Sequence, residues 1–365
     1  MAPPLASAPP RWAAALALAL RRLFLALADL VVPAPAALVE RTAGLGETQA
    51  LRAVSRLGVA DLLAAGPRTA DELAAVTGTN ADALHRALRA LASRGIFRLD
   101  RTGRFANSRL SSALRRDRPD AAGACAEFFG SPASSAAWAE LPRALATGEG
   151  SFSRVHGVSI WDWLEAHPDE RDTFAAAMGS VTWMYAGAVA SQPVFDGVGR
   201  LCDVGGGRGT LLAEILRRHP RVEGVLLESF GVLDAARAYL SRQGVLDRVE
   251  LHSGSFFDAV PAGCDAYLLK QVLHDWDDER CLAILRNCRR ALAPGGRLLV
   301  VESLVERCDA RDFGSRLDLQ MLVACEGGRE RGREEFRALL AAAGFELRSI
   351  TATACPVWIL EAVAV

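Results

Sequence analysis

The sequence predicts an α/β protein in which a doubly wound, mostly parallel sheet follows a helical region. Three observations predict it. From about residue 200 short apolar runs alternate with helical ones, the pattern of strands joined by crossover helices. Before that point apolar residues recur almost entirely at helical spacing. A glycine-rich turn, Asp203-Val204-Gly205-Gly206-Gly207-Arg208-Gly209, ends the first apolar run of the second half and opens a helix.

A chain of 365 residues suits two domains, and an apolar fraction of 51% is ample for two cores. The boundaries read as a head and N-terminal helix over 1–32, a winged-helix-like region over 33–120, a helical linker over 121–195 and the sheet domain over 196–365. With 42 basic and 43 acidic side chains the net charge is −1, which gives no footprint for a polyanionic partner. Arg supplies nearly all the positive charge, and Lys270 is the one lysine. The eight cysteines (Cys125, Cys202, Cys264, Cys281, Cys288, Cys308, Cys325 and Cys355) form no C-x-x-C and no metal-type spacing. They read as reduced thiols of a cytoplasmic protein.

Residues 1–10 read as a disordered head. Trp12 to Val32 is rich in Ala and Leu, but Arg21, Arg22 and Asp29 leave no uncharged stretch long enough to span a bilayer. A signal peptide carries its charges ahead of the apolar run, and here most follow it. The segment reads as an amphipathic helix that packs on a partner subunit, with a helix lying on a membrane surface as the lesser alternative.

Helical periodicity then covers 50–65, 70–76 and 81–93. Thr69 and Glu72 have capping-box spacing. Two short extended pieces, 96–99 and 104–106, flank Asp100-Arg101-Thr102-Gly103 as a hairpin. Three helices and a hairpin make a winged-helix pattern, which raises DNA binding. The would-be recognition helix has His85, Arg86, Arg89 and Arg94 but also Asp82 and no Lys. That is too weak a charge for a reader of the major groove, and a dimerising module fits better.

In the second half, strands are predicted at 200–204, 224–228, 249–253, 265–270, 297–302, 346–351 and 356–364. Helices are predicted at 210–218, 233–242, 279–292 and 333–343. A tight turn joins the last two strands, so they are antiparallel.

Ligands in such sheets sit beyond the carboxyl ends of the strands. The turn at Gly205 and Gly207 exposes backbone N–H groups there. Its spacing is G-x-G-x-G, with Thr210 where a dinucleotide site has glycine. Glu228 ends the next strand, 23 residues after Gly205, where a carboxylate can accept from ribose hydroxyls. Alone it reads equally as a solvent-facing residue; with the turn it favours a nucleoside. His274 lies just beyond the fourth predicted strand, 265–270, Glu302 ends the fifth, and Glu330 sits in a later loop. An imidazole with two carboxylates on one rim is the arrangement a general base needs.

From about Phe152 onward the chain resembles the class I, S-adenosylmethionine-dependent O-methyltransferases of the caffeate, hydroxyindole and polyketide type. The motifs that carry the resemblance are DVGGGRG (203–209), LLKQVLHDWDDERCLAILRNC (268–288), LAPGGRLLVVES (292–303), DLQMLVACEGGRER (318–331) and FRALLAAAGF (336–345). Residues 45–115 resemble the family's winged-helix dimerisation region. The resemblance implies a seven-stranded sheet with an antiparallel last strand, a homodimer through N-terminal helices, a small aromatic acceptor and no metal. It implies His274 as the base, with Glu302 and Glu330 flanking it. On the cofactor side it implies Gly205 near the methionine part, Gly207 in the same turn, Glu228 on the ribose, Ser255 and Phe256 beside the adenine, and Lys270 at a basic position. Phe174, Met178, Trp183, Met184 and, from the later loop, Met321 are the implied acceptor wall. Three departures stand out: Glu228 for Asp, Ser255 for Asp, and Gly332 for Thr. Some members of this fold hold the same cofactor and hydroxylate or decarboxylate instead, which is the competing reading.

Overall fold

The computed structural model describes residues 9–306 and 314–365. Most of the predicted head and Cys308 lie outside the described residues. The chain divides into two compact units. One is Leu16–Ser135 with Ala176–Val181; the other is Ala136–Ala175 and Thr182–Val365, together with the described residues up to Ala15.

In the first unit, helices Gly44–Arg56, Val59–Leu62, Ala70–Thr77 and Ala81–Ser93 precede strands β1 (Phe97–Leu99) and β2 (Phe105–Asn107). Val54, Leu73, Leu88, Leu91, Phe97 and Phe105 form its core. The long helix predicted over 50–65 is broken, because Gly58 takes a left-handed φ of +65° and turns the chain. The Thr69–Glu72 capping box forms as predicted. Asp100 Oδ1 accepts from the N–H groups of Thr102 and Arg104, which closes the β1–β2 turn. Ahead of these elements, helix Arg11–Leu30 buries none of its residues. Among the described residues, no helix is long and apolar enough to cross a membrane.

The second unit holds a seven-stranded sheet. Its strands are β3 (Arg200–Val204), β4 (Glu223–Glu228), β5 (Val249–Ser253), β6 (Cys264–Lys270), β7 (Leu292–Glu302), β8 (Phe345–Ala352) and β9 (Trp358–Ala364), in the order β5-β4-β3-β6-β7-β9-β8. All neighbours pair in parallel except those of β9, which lies antiparallel between β7 and β8. The chain winds outward from β3 to β5, then crosses back to lay β6 beside β3. That reversal opens the crevice in which such sheets bind ligands. Helices Thr210–Arg218, Phe230–Gln243, Asp278–Ala291 and Arg333–Ala342 connect the strands. Strand interiors are runs such as Tyr267-Leu268-Leu269, wholly buried, because helices cover both faces of a parallel sheet. β7 begins five residues earlier than predicted. Leu292 already pairs with Cys264, and the register shifts before the ladder resumes at Ala266 and Arg297; Gly295, at φ +76°, takes up that irregularity.

Candidate active site

Three strand ends build the site. β3 delivers the glycine turn, β6 delivers Lys270 and His274, and β7 delivers Glu302. All of these residues belong to the second unit.

Gly205, Gly207 and Gly209 take φ of +68°, +59° and +74°, values that L side chains resist. Their surroundings differ. A Cβ on Gly205 would meet Val272 and Phe256 at 3.2 and 3.3 Å, whereas one on Gly207 would meet nothing within 4 Å. The chain is therefore packed at Gly205 and open at Gly207. Glu228 closes one side: its Oε1 accepts from Gly207 N–H at 3.1 Å and its Oε2 from Ser229 N–H at 2.6 Å. Burial raises the Glu228 carboxyl, against the pull of those two N–H groups. Asp203, beneath the turn, is buried with Oδ1 unpartnered, and burial pushes its carboxyl up to about 7. Lys270 Nζ donates to Thr182 Oγ1 at 2.9 Å. Burial lowers its pKa, while the charges of Asp203, Glu302, Asp275 and Glu228 oppose that fall.

Ser255 and Phe256 part company. Phe256 packs beside Gly205. Ser255 is exposed, and its Oγ accepts from Phe257 N–H at 3.2 Å within its own turn.

The predicted catalytic three are brought together. His274 Nδ1 lies 2.7 Å from Glu330 Oε1 and 3.7 Å from Glu302 Oε2. Glu302 Oε1 accepts from the N–H groups of Val272 and Leu273, 3.1 Å each. Its carboxylate therefore fixes the turn that carries His274 as well as facing the ring. Burial would lower the His274 pKa, but Glu302, Asp275 and Glu330 together lift it to about 10. Burial pushes the Glu302 carboxyl up to about 7, against the attraction of His274. Imidazole and carboxyl thus share protons as a group. One ligand atom from each of His274, Glu302 and Glu330 lies within 4.8 Å of the others, a spacing that would also admit a metal ion.

Three supporting residues have no role in the sequence reading. Asp275 Oδ1 stands 3.5 Å from His274 Nε2. Asp318 Oδ1 accepts from Glu330 N–H at 2.8 Å. Arg331, wholly buried, donates to the carbonyls of Leu273 and Trp276 at 2.8 Å each and to Asp278 at 2.7 Å. It joins the Glu330 loop to the His274 turn across 58 residues of sequence. The Arg-Glu-Arg triplet was the available clue, since a cation next to a site carboxylate needs its own acceptors. Gly332, the third departure, donates its N–H to Glu335 at 2.8 Å and starts helix Arg333–Ala342.

The predicted acceptor wall falls on two helices, with Phe174, Met178, Trp183 and Met184 on Pro168–Ala190 and Met321 on Gly314–Ala324. Phe174 stands edge-on to Trp161, centroids 5.9 Å apart. Trp183 is half-buried and Met184 is 64% exposed. Met321 is buried in helix Gly314–Ala324, and not in a loop as predicted. Met178 belongs to the other unit. A cavity of about 640 Å³ opens beside Trp161, Phe257, Trp276, Arg280 and Glu326.

Known proteins resemble the chain over nearly its whole length. The model of the O-methyltransferase domain matches residues 138–346, and that of the O-methyltransferase dimerisation domain matches residues 40–117. A mitomycin biosynthesis 6-O-methyltransferase of Streptomyces lavendulae is 41% identical, over 87% of this chain and 91% of its own. A phenazine O-methyltransferase of Lysobacter antibioticus is 39% identical, over 91% and 96%. The crystal structure of an O-methyltransferase from neocarzinostatin biosynthesis, in complex with S-adenosylmethionine and 2-hydroxy-5-methyl naphthoic acid, superposes with a TM-score of 0.74 at 33% identity, over 87% of this chain and 96% of that one. The chain belongs to the O-methyltransferase family.

Proposed function

We propose that the enzyme moves a methyl group from S-adenosylmethionine to a hydroxyl of a small aromatic acceptor, with His274 taking the hydroxyl proton. The buried contact of 2.7 Å between His274 and Glu330 carries this reading. Donation from Nδ1–H to Glu330 leaves Nε2 as the proton acceptor. Glu302 and Glu330 then stabilise the imidazolium that forms.

The chain's own residues suit the cofactor. The open Gly207 turn leaves room for it, and the unpartnered Asp203 Oδ1 beneath the turn and the Glu228 carboxylate beside it supply acceptors. Gly205 and Gly207 would hold its amino-acid part, Glu228 its ribose and Phe256 its adenine. Lys270 balances the surrounding carboxylates. When bound, this cofactor supplies a methyl on a sulfonium, an electrophile that needs no further activation. Alignment is then the protein's largest contribution. Phe174, Trp183 and Met321 provide apolar walls of the kind a flat acceptor needs.

The match to the dimerisation domain supports a homodimer through the N-terminal helices. Helix Arg11–Leu30 exposes Trp12, Leu23, Phe24 and Leu30, an apolar surface of the kind a second subunit would cover.

Methyl-labelled S-adenosylmethionine and a panel of phenols and hydroxynaphthoates test the reaction. Labelled ether product is expected, at a rate unchanged by a chelator. Cofactor binding with no methyl transfer to any hydroxyl would favour hydroxylation or decarboxylation. Loss of the rate with chelator would place a metal among His274, Glu302 and Glu330.

A further inference from the structure

Between Lys270 and His274 the chain does something costly. Gln271 has φ +50° and is the only non-glycine at positive φ among the described residues. Glycine fills such positions elsewhere, as at Gly205 and Gly207. A residue that keeps a side chain there is held by its surroundings. Gln271 is held from two sides. Its N–H donates to Val301 O at 3.0 Å, the last bond from β6 to β7. Its side-chain Oε1 accepts a hydrogen bond from the buried hydroxyl of Tyr185.

The consequence is directional. Past Gln271 the backbone leaves the sheet, and the next two N–H groups both point at Glu302 Oε1. A single 3₁₀ turn, Leu273–Asp275, then presents the imidazole. The grip comes from one helix, Pro168–Ala190. Thr182 holds Lys270 and Tyr185 holds Gln271. These two residues lie three apart on that helix, on neighbouring turns of one face.

We propose that Tyr185 and Gln271 are positioning residues for His274: together they lock the left-handed exit from β6 that aims the Val272 and Leu273 N–H groups at Glu302 and sets the imidazole against Glu330. This rests on the reading of His274 as the base, but the lock can be observed without any reaction.

The imidazole signals of His274, identified by their loss in His274→Ala, are followed by NMR against pH in the intact protein. The groups facing that ring are Glu302, Asp275 and Glu330, with Arg331 beside Glu302. In Tyr185→Phe and Gln271→Gly the ring should drift from its carboxylates, so its titration midpoint should fall by about half a pH unit or more. Gln271→Asn tolerates positive φ and keeps an amide, so it should recover part of the shift. Gln271→Gly frees the backbone, so a folding defect is not expected to mask the result. In the methyl-transfer assay the same two variants should lose about tenfold or more in kcat, with the KM for S-adenosylmethionine within about twofold of the parent value. Parent-like titration of His274 in both variants would overturn the proposal. An altered midpoint in a protein that methylates nothing would leave the lock standing and remove the base assignment instead.

Discussion

The two sides of the site are built to different standards. On the proposed base side the backbone of the His274 turn is tied down, while Glu302 Oε2 and Glu330 Oε2 are buried without a hydrogen-bond partner. Glu302 takes two backbone N–H groups, Glu330 takes the ring, and Arg331 takes two carbonyls. On the cofactor side the turn is open at Gly207, Asp203 Oδ1 has no partner, and Ser255 faces solvent. A group that must hold a proton at one atom gains from rigidity. A crevice that is to admit and release a nucleoside gains from a turn with open space beside it. Two of the three departures from the family pattern, Glu228 and Ser255, fall on the open side, where a changed contact weakens grip without dismantling the base.

Substitutions on each side should therefore fail differently. The largest effect is expected at Arg331. Arg331→Ala takes the charged donor from the carbonyls of Leu273 and Trp276, to which the Cys281 thiol is the weaker remaining side-chain donor, at about 1–3 kcal/mol each. Urea unfolding should show about 2–5 kcal/mol lost, and turnover should go with it. Glu330→Gln should fold normally and act on chemistry. His274 is lifted to about 10 by its carboxylates, and a protonated ring cannot accept a proton. Turnover of the parent enzyme should accordingly rise with pH toward that range. Removing the Glu330 charge lowers the His274 pKa, so the rising limb should move to lower pH while the maximal rate falls. A limb that stays in place, or moves to higher pH, would contradict the electrostatics. The smallest effect belongs to the open side. Ser255→Asp restores a charged acceptor near the expected adenine, worth about 1.5 kcal/mol where exposed. Calorimetry should show S-adenosylmethionine binding about tenfold tighter with kcat little changed.

Much of this contrast was legible in the sequence, unevenly. Strand ends carry the motifs, so the period-2 and period-3.6 patterning puts Gly205, Glu228, His274 and Glu302 on one rim. Val249–Ser253 and Thr210–Arg218 fall on their predicted bounds. What was not legible depends on backbone angles or on contacts distant in sequence. Gly58 breaks a helix whose apolar spacing runs through it. Gln271 looks ordinary in the row of letters, and only its φ of +50° marks it. Arg331 reads as a surface arginine until its three acceptors, 53–58 residues away, are seen. The acceptor wall is the part least legible in the sequence, because apolar side chains on a long helix carry no sign of which face meets a ligand. Met184 is exposed and Met321 is buried in a helix.

The account stands on His274 as the proton acceptor. Its most direct test is the rate of labelled methyl transfer by His274→Ala beside calorimetric binding of S-adenosylmethionine to the same variant. The account predicts turnover reduced about 10²–10⁴-fold with the cofactor bound as tightly as in the parent. Parent-like turnover with intact binding would contradict it.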